Sequence, residues 1–438
     1  MKIPKTGSPR PDVMQRLEAS RTHDADWKHA KTWSLVYNAG EDILEVTKDA
    51  YTRFFSENAL NPMAFPSLRR LEREVVAMTA DLLNAPPGAS GSMTSGGSES
   101  LLMAVKTARE WARVHHPEIK SPEMLLPITA HPALEKAAYY FDVKAVHIPV
   151  GRDLRADAAA ARALVTKNTI LVVGSAPAYP HGVIDPITEL AALAAEHNIL
   201  CHVDACLGGF LLPWLDRLGR KLPAFDFRVP GVTSMSADIH KYGYAAKGAS
   251  LVVYRTRDLR RHQYFVYADW PGGLYGSPSM TGTRPGGAIA AAWAVVHYLG
   301  KEGYLRLARE TMAITEALMA GVAAIPELRI LGAPDMSVFA FASDSIDVYM
   351  LGEWMEKRGW KLDRQQLPPC LHMMVTPAHA AIVEPFLADL RAGDLDLAAT
   401  KPTPEGAAAM YGMFGAAPDR AMVAGFLLDF MDGLDDME

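Results

Sequence analysis

The chain has 438 residues, 49% of them hydrophobic, which supports a large core and two or three structural units. A formal net charge of −6 excludes a general nucleic-acid binder, whose footprint would be basic. Cys201, Cys206 and Cys370 are too few and too scattered for a disulfide framework or a cysteine-rich zinc site, and they fit a reducing cytoplasm.

Residues 1–60 carry little sustained strand pattern and read as an arm packed on the rest, with no apolar core of a signal peptide. Residues 61–300 are expected to form a large domain. In it a Gly/Ser-rich stretch, Thr94-Ser95-Gly96-Gly97-Ser98-Glu99-Ser100, opens a helical run from Leu101 to Val114. Short buried strands are expected at Met124–Ile128, Ala145–Val150, Thr169–Val173, Ile199–Val203, Val232–Ser236 and Ser250–Tyr254. Helical patterns at Pro132–Phe141 and Pro186–His197 lie between some of them. Such alternation predicts an α/β fold, a mostly parallel sheet with helices on both faces. Ligands in such sheets sit outside the carboxyl ends of the strands.

From Gly286 the pattern changes. A long helical region, Ala288–Ile325, is expected to be interrupted near Gly300 and Gly303. Strand-like Val338–Ala342, a helix over Asp347–Arg358 and a strand at Leu371–Val375 follow. Residues 301–438 therefore read as a small C-terminal α+β domain, ending in the solvated acidic tail Asp435-Asp436-Met437-Glu438. No apolar run reaches the roughly 18 residues that a spanning helix needs, so no integral membrane segment is expected.

Four features carry chemistry. Lys241 follows the strand ending at Ser236, through Ala237-Asp238-Ile239-His240, amid Tyr242, Gly243 and Tyr244. Schiff-base chemistry needs a lysine so placed, because burial lowers the amine pKa and frees its lone pair. Taken alone, a surface lysine in a loop is the plainer reading. Asp204 ends the apolar strand at Ile199–Val203, where a carboxylate is either a helix cap or a site residue. In a pyridoxal-phosphate site it would keep the pyridine nitrogen protonated, so that the ring acts as an electron sink. Gly96, Gly97 and Ser98 at a helix start make an anion site from free N–H groups, although a flexible turn with Ser98 as cap is the commoner case. His131 opens a helix just after a strand, where its ring could stack on a flat cofactor or merely cap. The Walker loop, the dinucleotide fingerprint, HExxH, paired CxxC and the G-x-S-x-G elbow are all absent, which leaves nucleotide, metal and serine-hydrolase chemistry without support.

Together these pieces resemble the sphingosine-1-phosphate lyase family, within the group II decarboxylase-like enzymes of fold type I that use pyridoxal 5′-phosphate. Ser236 to Gly248 (SADIHKYGYAAKG) looks like that family's lysine motif, with Ala246 where proline is usual. His202 to Phe210 (HVDACLGGF) matches closely. Asp269 to Gly273 (DWPGG), Thr281 to Gly287 (TGTRPGG) and Met410 to Met413 (MYGM) look like its later motifs. The resemblance implies a homodimer with shared active sites. Lys241 would form the Schiff base, Asp204 would bind the pyridinium and His131 would stack on the ring. Ser236 and His240 would stand beside the cofactor, and Gly96, Gly97 and Ser98 would hold its phosphate, with Gly282 and Thr283 from the second subunit. Tyr37, Asn58, Asn61, Lys247 and Tyr411 match positions near the substrate.

The implied reaction is retro-aldol cleavage of the C2–C3 bond of a phosphorylated long-chain base, giving an aldehyde and phosphoethanolamine. Lys247, Tyr179 or a water are the candidate bases. Two departures bear on the substrate. Asn61 replaces the histidine of the family's Asn-Pro-Leu-His-Pro run, and asparagine cannot become cationic. Thr283 stands where serine is usual. An amino-acid decarboxylase, a lyase for an unphosphorylated β-hydroxy amino acid and a catalytically silent binding subunit are the alternatives.

Overall fold

The computed structural model describes residues 2–400, 403–404 and 406–434; the acidic tail Asp435-Asp436-Met437-Glu438 lies outside the described residues. Seven strands form the central sheet: β1 (Ser90–Thr94), β2 (Glu123–Pro127), β3 (Lys144–Ile148), β4 (Thr169–Ser175), β5 (Leu200–Asp204), β6 (Ser234–Asp238) and β7 (Ser250–Tyr254). Their order is β1-β7-β6-β5-β4-β2-β3. Only β7 runs antiparallel to its neighbours. Every residue of β4, β5, β6 and β7 is buried, as a sheet covered on both faces requires.

The expected strands are all present, with ends moved by one or two residues. The strand expected from Val232 starts at Ser234; at its entry the Cys201 N–H goes to the Thr233 hydroxyl and the Val232 carbonyl accepts the Arg255 side chain. The pattern missed β1, whose sequence Ser-Gly-Ser-Met-Thr carries no apolar alternation. It is a strand because it pairs with β7 and closes against helix Pro66–Leu82: a Cβ on Gly91 would lie 3.1 Å from Val76.

Helix Gly97–His115 joins β1 to β2, and Ala133–Phe141 joins β2 to β3. Ala158–Leu164 precedes β4, capped by Asp157, whose Oδ1 accepts the Ala159 and Ala160 N–H groups. Ile187–Glu196 then leads to β5. An exposed hairpin, β8 (Phe265–Tyr267) with β9 (Tyr275–Ser277), carries the DWPGG segment at its turn. The long helix spans Gly286–Ala323 and breaks at Gly300, where φ is 54°. It continues through Gly303, where the sequence suggested a second interruption.

A four-stranded antiparallel sheet follows, in the order β10 (Leu328–Ile330), β11 (Val338–Ser343), β13 (Pro369–Met374), β12 (Asp363–Gln366). Its core of Phe339, Phe341, Trp360 and Phe386 also takes in Trp33 from the N-terminal arm, stacked 4.4 Å from His379. The arm is thus pinned by a buried aromatic side chain, whereas helix Arg10–Ala19 buries nothing.

The two sheets meet at Gly182, which has φ of +70° and whose carbonyl accepts the Asp335 N–H. A Cβ there would run into the Val338 carbonyl. Gly182→Ala is expected to destabilise the chain by at least about 2 kcal/mol, from left-handed backbone strain plus the clash. Chemical denaturation would check this; an unchanged midpoint would show that the joint yields freely.

Candidate active site

Register brings the ends of three parallel strands together: Ser175 of β4 lies opposite Asp204 of β5, and Asp204 opposite Ser236 of β6. A cavity of ≈ 480 Å³ opens beyond them. It is lined by Gly96, Gly97, Ser98, His131, Tyr179, Asp204, His240, Lys241 and Lys247, among others. Nine of the residues singled out in the sequence therefore converge on one cavity at the carboxyl edge of the sheet.

Lys241 sits in the turn after β6. That turn is held by the Tyr242 hydroxyl on Val375 O (3.1 Å), the Tyr304 hydroxyl on Gly243 O (2.9 Å) and Tyr244 at φ 60°. Its ammonium lies 3.0 Å from Asp238 Oδ2. Burial, the largest single influence, lowers the amine pKa as the sequence suggested, but Asp238, Cys206 and Asp204 together outweigh it and the pKa is raised. Burial also opposes ionisation of Asp238, and Lys241 and His240 together hold its carboxyl below the ordinary range.

Asp204 accepts the Cys206 N–H (3.0 Å) and the Ser236 hydroxyl (3.2 Å), both on Oδ1. Ser236 also accepts the Cys206 thiol. It stands behind Asp204 and does not line the cavity, so it orients the carboxylate. His131 accepts the Ala133 N–H on Nδ1 (3.1 Å), and burial lowers its pKa, leaving a neutral ring on the cavity wall. His240 Nε2 is 3.7 Å from Asp238, while its buried Nδ1 has no partner among the described residues.

Gly96 and Gly97 open helix Gly97–His115, and a Cβ on Gly97 would lie 2.7 Å from Asp238 Oδ2 and 3.0 Å from Cys206 Sγ. The helix start is tied down by Thr94–Ser100–Ser250 hydroxyl contacts of 2.6 and 2.7 Å. Glu99, not singled out in the sequence, accepts the Ser95 N–H and hydroxyl on one oxygen and the Met280 N–H on the other. A glutamate at the third helical position was the available signal.

The remaining residues lie elsewhere. Gly282 and Thr283 are exposed on the segment before the long helix, and Thr283 accepts a hydrogen bond from Asn58 Nδ2 (3.3 Å). Asn61 is exposed and accepts the Met63 and Ala64 N–H groups on Oδ1. Tyr411 packs against the core of the four-stranded sheet beside Tyr349. Tyr37 donates to Met374 Sδ, and the Lys247 ammonium lies 4.9 Å from its ring centre. Tyr37, Lys247 and His240 also line a second cavity of ≈ 320 Å³ with Ile43, Leu44 and Tyr51. Lys247, exposed at the rim, has its pKa lowered to about 8 by partial burial and by Lys241. The Tyr179 hydroxyl donates to Asp363 Oδ2 (2.9 Å), and burial together with that carboxylate raises its pKa.

These residues fit pyridoxal phosphate. Asp204 Oδ2 takes no hydrogen bond among the described residues and is available to a ring N–H; His131 offers a neutral flat face; the Gly96–Gly97 helix start offers N–H groups to a phosphate. The pyridoxal-dependent decarboxylase conserved domain matches residues 12–343. A sphingosine-1-phosphate lyase of Oryza sativa subsp. japonica is 44% identical over 430 residues, covering 96% of this chain and 79% of that protein. The structure of a Burkholderia pseudomallei sphingosine-1-phosphate lyase superposes with a TM-score of 0.91 at 38% identity, covering 100% and 98% of the two chains. A Lactobacillus brevis glutamate decarboxylase shares the fold, with a TM-score of 0.80, 19% identity, and 92% of this chain and 96% of that one covered.

The fold and the matching domain define a pyridoxal-phosphate-dependent enzyme of fold type I, a lyase of the decarboxylase-like class. Within that class the chain belongs to the sphingosine-1-phosphate lyase family. Lys241→Ala is expected to abolish the visible absorbance of the cofactor-loaded protein, checked by spectrophotometry after dialysis. A surviving band would remove Lys241 from its role.

Proposed function

We propose that this protein cleaves the C2–C3 bond of a phosphorylated long-chain base, releasing a long-chain aldehyde and phosphoethanolamine. The observation that carries this reading is identity of 44% to a sphingosine-1-phosphate lyase over 96% of the chain. The cavity alone suits decarboxylation equally. When bound, pyridoxal phosphate supplies the electron sink for the pair released at C2.

The chain's residues divide the remaining work. Lys241 holds the cofactor covalently between turnovers, and Asp204, fixed by Cys206 and Ser236, keeps its pyridine nitrogen protonated. His131 stacks on the ring. The start of helix Gly97–His115 receives the cofactor phosphate. The mainly apolar second cavity shares Lys247 and His240 with the first, and it suits an aliphatic chain leaving the reacting centre. Lys247, cationic below about pH 8, attracts the substrate's phosphate at the rim.

The functional unit is a homodimer. Phe265, Val266, Tyr267, Trp270 and Leu274 expose a large apolar hairpin, and Gly282 and Thr283 stand outside their own chain's cavity, available to a partner's cofactor phosphate. We take residues 61–300 and 301–438 as the two domains, a division supported by the helix break at Gly300, with Tyr304, Leu307, Ala308 and Met312 beyond it packing back into the large core. No described helix is long and apolar enough to cross a membrane. Three unpaired, buried cysteines suit a reducing compartment, the cytoplasm.

One observation favours a second reading. Asn61 Oδ1 is committed to backbone N–H groups and supplies no cation for a phosphate, which suits an unphosphorylated β-hydroxy amino acid. Mass-spectrometric product analysis with sphinganine-1-phosphate separates the two. Aldehyde with phosphoethanolamine is expected; no turnover by cofactor-loaded protein, with cleavage of a β-hydroxy amino acid, would establish the second reading.

The pH dependence tests Lys247. Its lowered pKa means that the charge is complete below about pH 8 and lost above it. For a phosphorylated substrate, kcat/KM is expected to fall as pH rises through about 8. Lys247→Arg, charged throughout, should remove that descending limb. A limb unchanged in the variant would assign the titration to another group.

A further inference from the structure

Tyr179 lines the Lys241 cavity just beyond β4, yet its hydroxyl hydrogen is directed out of the large domain, onto Asp363 of β12. Its ring stacks on His372 at 4.3 Å, and His372 lies opposite Asp363 across the β12–β13 pair. A residue of the turn after β4 is thus gripped by two of the small sheet. Asp363 accepts no other side-chain hydrogen bond among the described residues, and the neighbouring cation, Arg364, pairs with Glu356 instead.

We propose that Asp363 is a positioning residue for the cleavage: by holding the Tyr179 hydroxyl proton, it turns the Tyr179 oxygen into the acceptor for the substrate's 3-hydroxyl proton. The inference rests on the lyase reading above. A tyrosine whose proton is engaged by a carboxylate keeps oxygen lone pairs free for a second partner, and a hydrogen-bonded chain of this kind strengthens along its length. The step balances. The substrate O–H bond breaks and an O–H bond forms at Tyr179 Oη, while Tyr179's own proton passes to Asp363 Oδ2. The electron pair of the broken O–H bond becomes the second bond of the aldehyde carbonyl, and the C2–C3 pair stays with C2. On return Tyr179 Oη gives a proton to C2 and regains the one held on Asp363 Oδ2, so the site ends as it began.

This arrangement removes a difficulty. Burial and Asp363 hold the Tyr179 phenol well protonated, so a free phenolate is not at hand as a base near neutral pH. With Asp363 taking the proton in the same motion, none has to form. The other groups bearing on the pair leave its charge balance simple. Lys241 favours phenolate and Tyr411 opposes it; Tyr37 stays protonated, and His372 is kept neutral by burial, as is His181.

The test uses cofactor-loaded enzyme and a phosphorylated long-chain base. Wild-type turnover decides the lyase reading first; the variants then decide this one. Asp363→Asn is expected to lower kcat by about tenfold or more with KM little changed. Tyr179→Phe should lose at least as much, and adding Asp363→Asn to it should cost nothing further, because both act on one proton path. In the cofactor-free protein, carbon-13-labelled tyrosine NMR should show Tyr179 ionising at lower pH in Asp363→Asn than in wild type. Asp363→Glu, which keeps the carboxylate, should retain more activity than Asp363→Asn, and it serves if the amide variant does not fold. Wild-type kcat in Asp363→Asn, multiplicative losses in the double variant, or a loss in Asp363→Glu equal to that of Tyr179→Phe would overturn the proposal.

Discussion

A lysine in the middle of a large α/β domain can stay charged only beside a carboxylate, and the pairing of Lys241 with Asp238 across 3.0 Å organises everything around it. Asp238 ends β6, so the lysine must lie in the turn that follows. The same carboxylate crowds Gly97, so the start of helix Gly97–His115 must be free of side chains at that point. Asp204 lies one strand over, its Oδ1 occupied by Cys206 and Ser236 and its Oδ2 left available. Lys241, Lys247, Asp204, Asp238 and the start of helix Gly97–His115 border one cavity, in which Lys241 pairs with Asp238 while Asp204 has no cation of its own among the described residues.

The second organising contact is the seam between the sheets. Tyr242 reaches Val375 O, Gly182 receives Asp335, and Tyr179 is held by Asp363 and His372. The C-terminal sheet therefore lends no residue to the cavity lining but fixes a side chain, Tyr179, that does line it. The N-terminal arm joins the same seam from the other side, with Trp33 buried in the small core and Tyr37 against Tyr242 and Met374.

Much of this was legible in the sequence. Several central strands carry apolar runs such as Ile170–Val173 and Leu251–Val253, Asp204 ends a strand and Lys241 and His131 come shortly after one, so their convergence could be read from order. The motifs of the lyase family added the substrate class. What escaped was whatever depends on a partner distant in the chain. The polar strand β1 is a strand only through β7. Asp363 lies in a polar stretch, Asp-Arg-Gln-Gln, and nothing there announces that it meets a residue 184 positions earlier. The sign of the Lys241 shift was misjudged for the same reason: burial is visible in a pattern, whereas the opposing charge is visible only in space. Asn61 and Tyr411 sit away from the cavity of their own chain.

Glu99 has a consequence for how the protein matures. One of its oxygens fastens Ser95 and the other fastens Met280, so the loop that would receive an anion and the strip leading to Gly282 and Thr283 share a single carboxylate. Order in either segment lowers the entropic cost of ordering the other. In the homodimer proposed above, loading with cofactor and pairing of subunits would be linked equilibria, each raising the affinity of the other by the same factor. The holoenzyme would persist as an assembled pair at dilutions where the unloaded chains come apart.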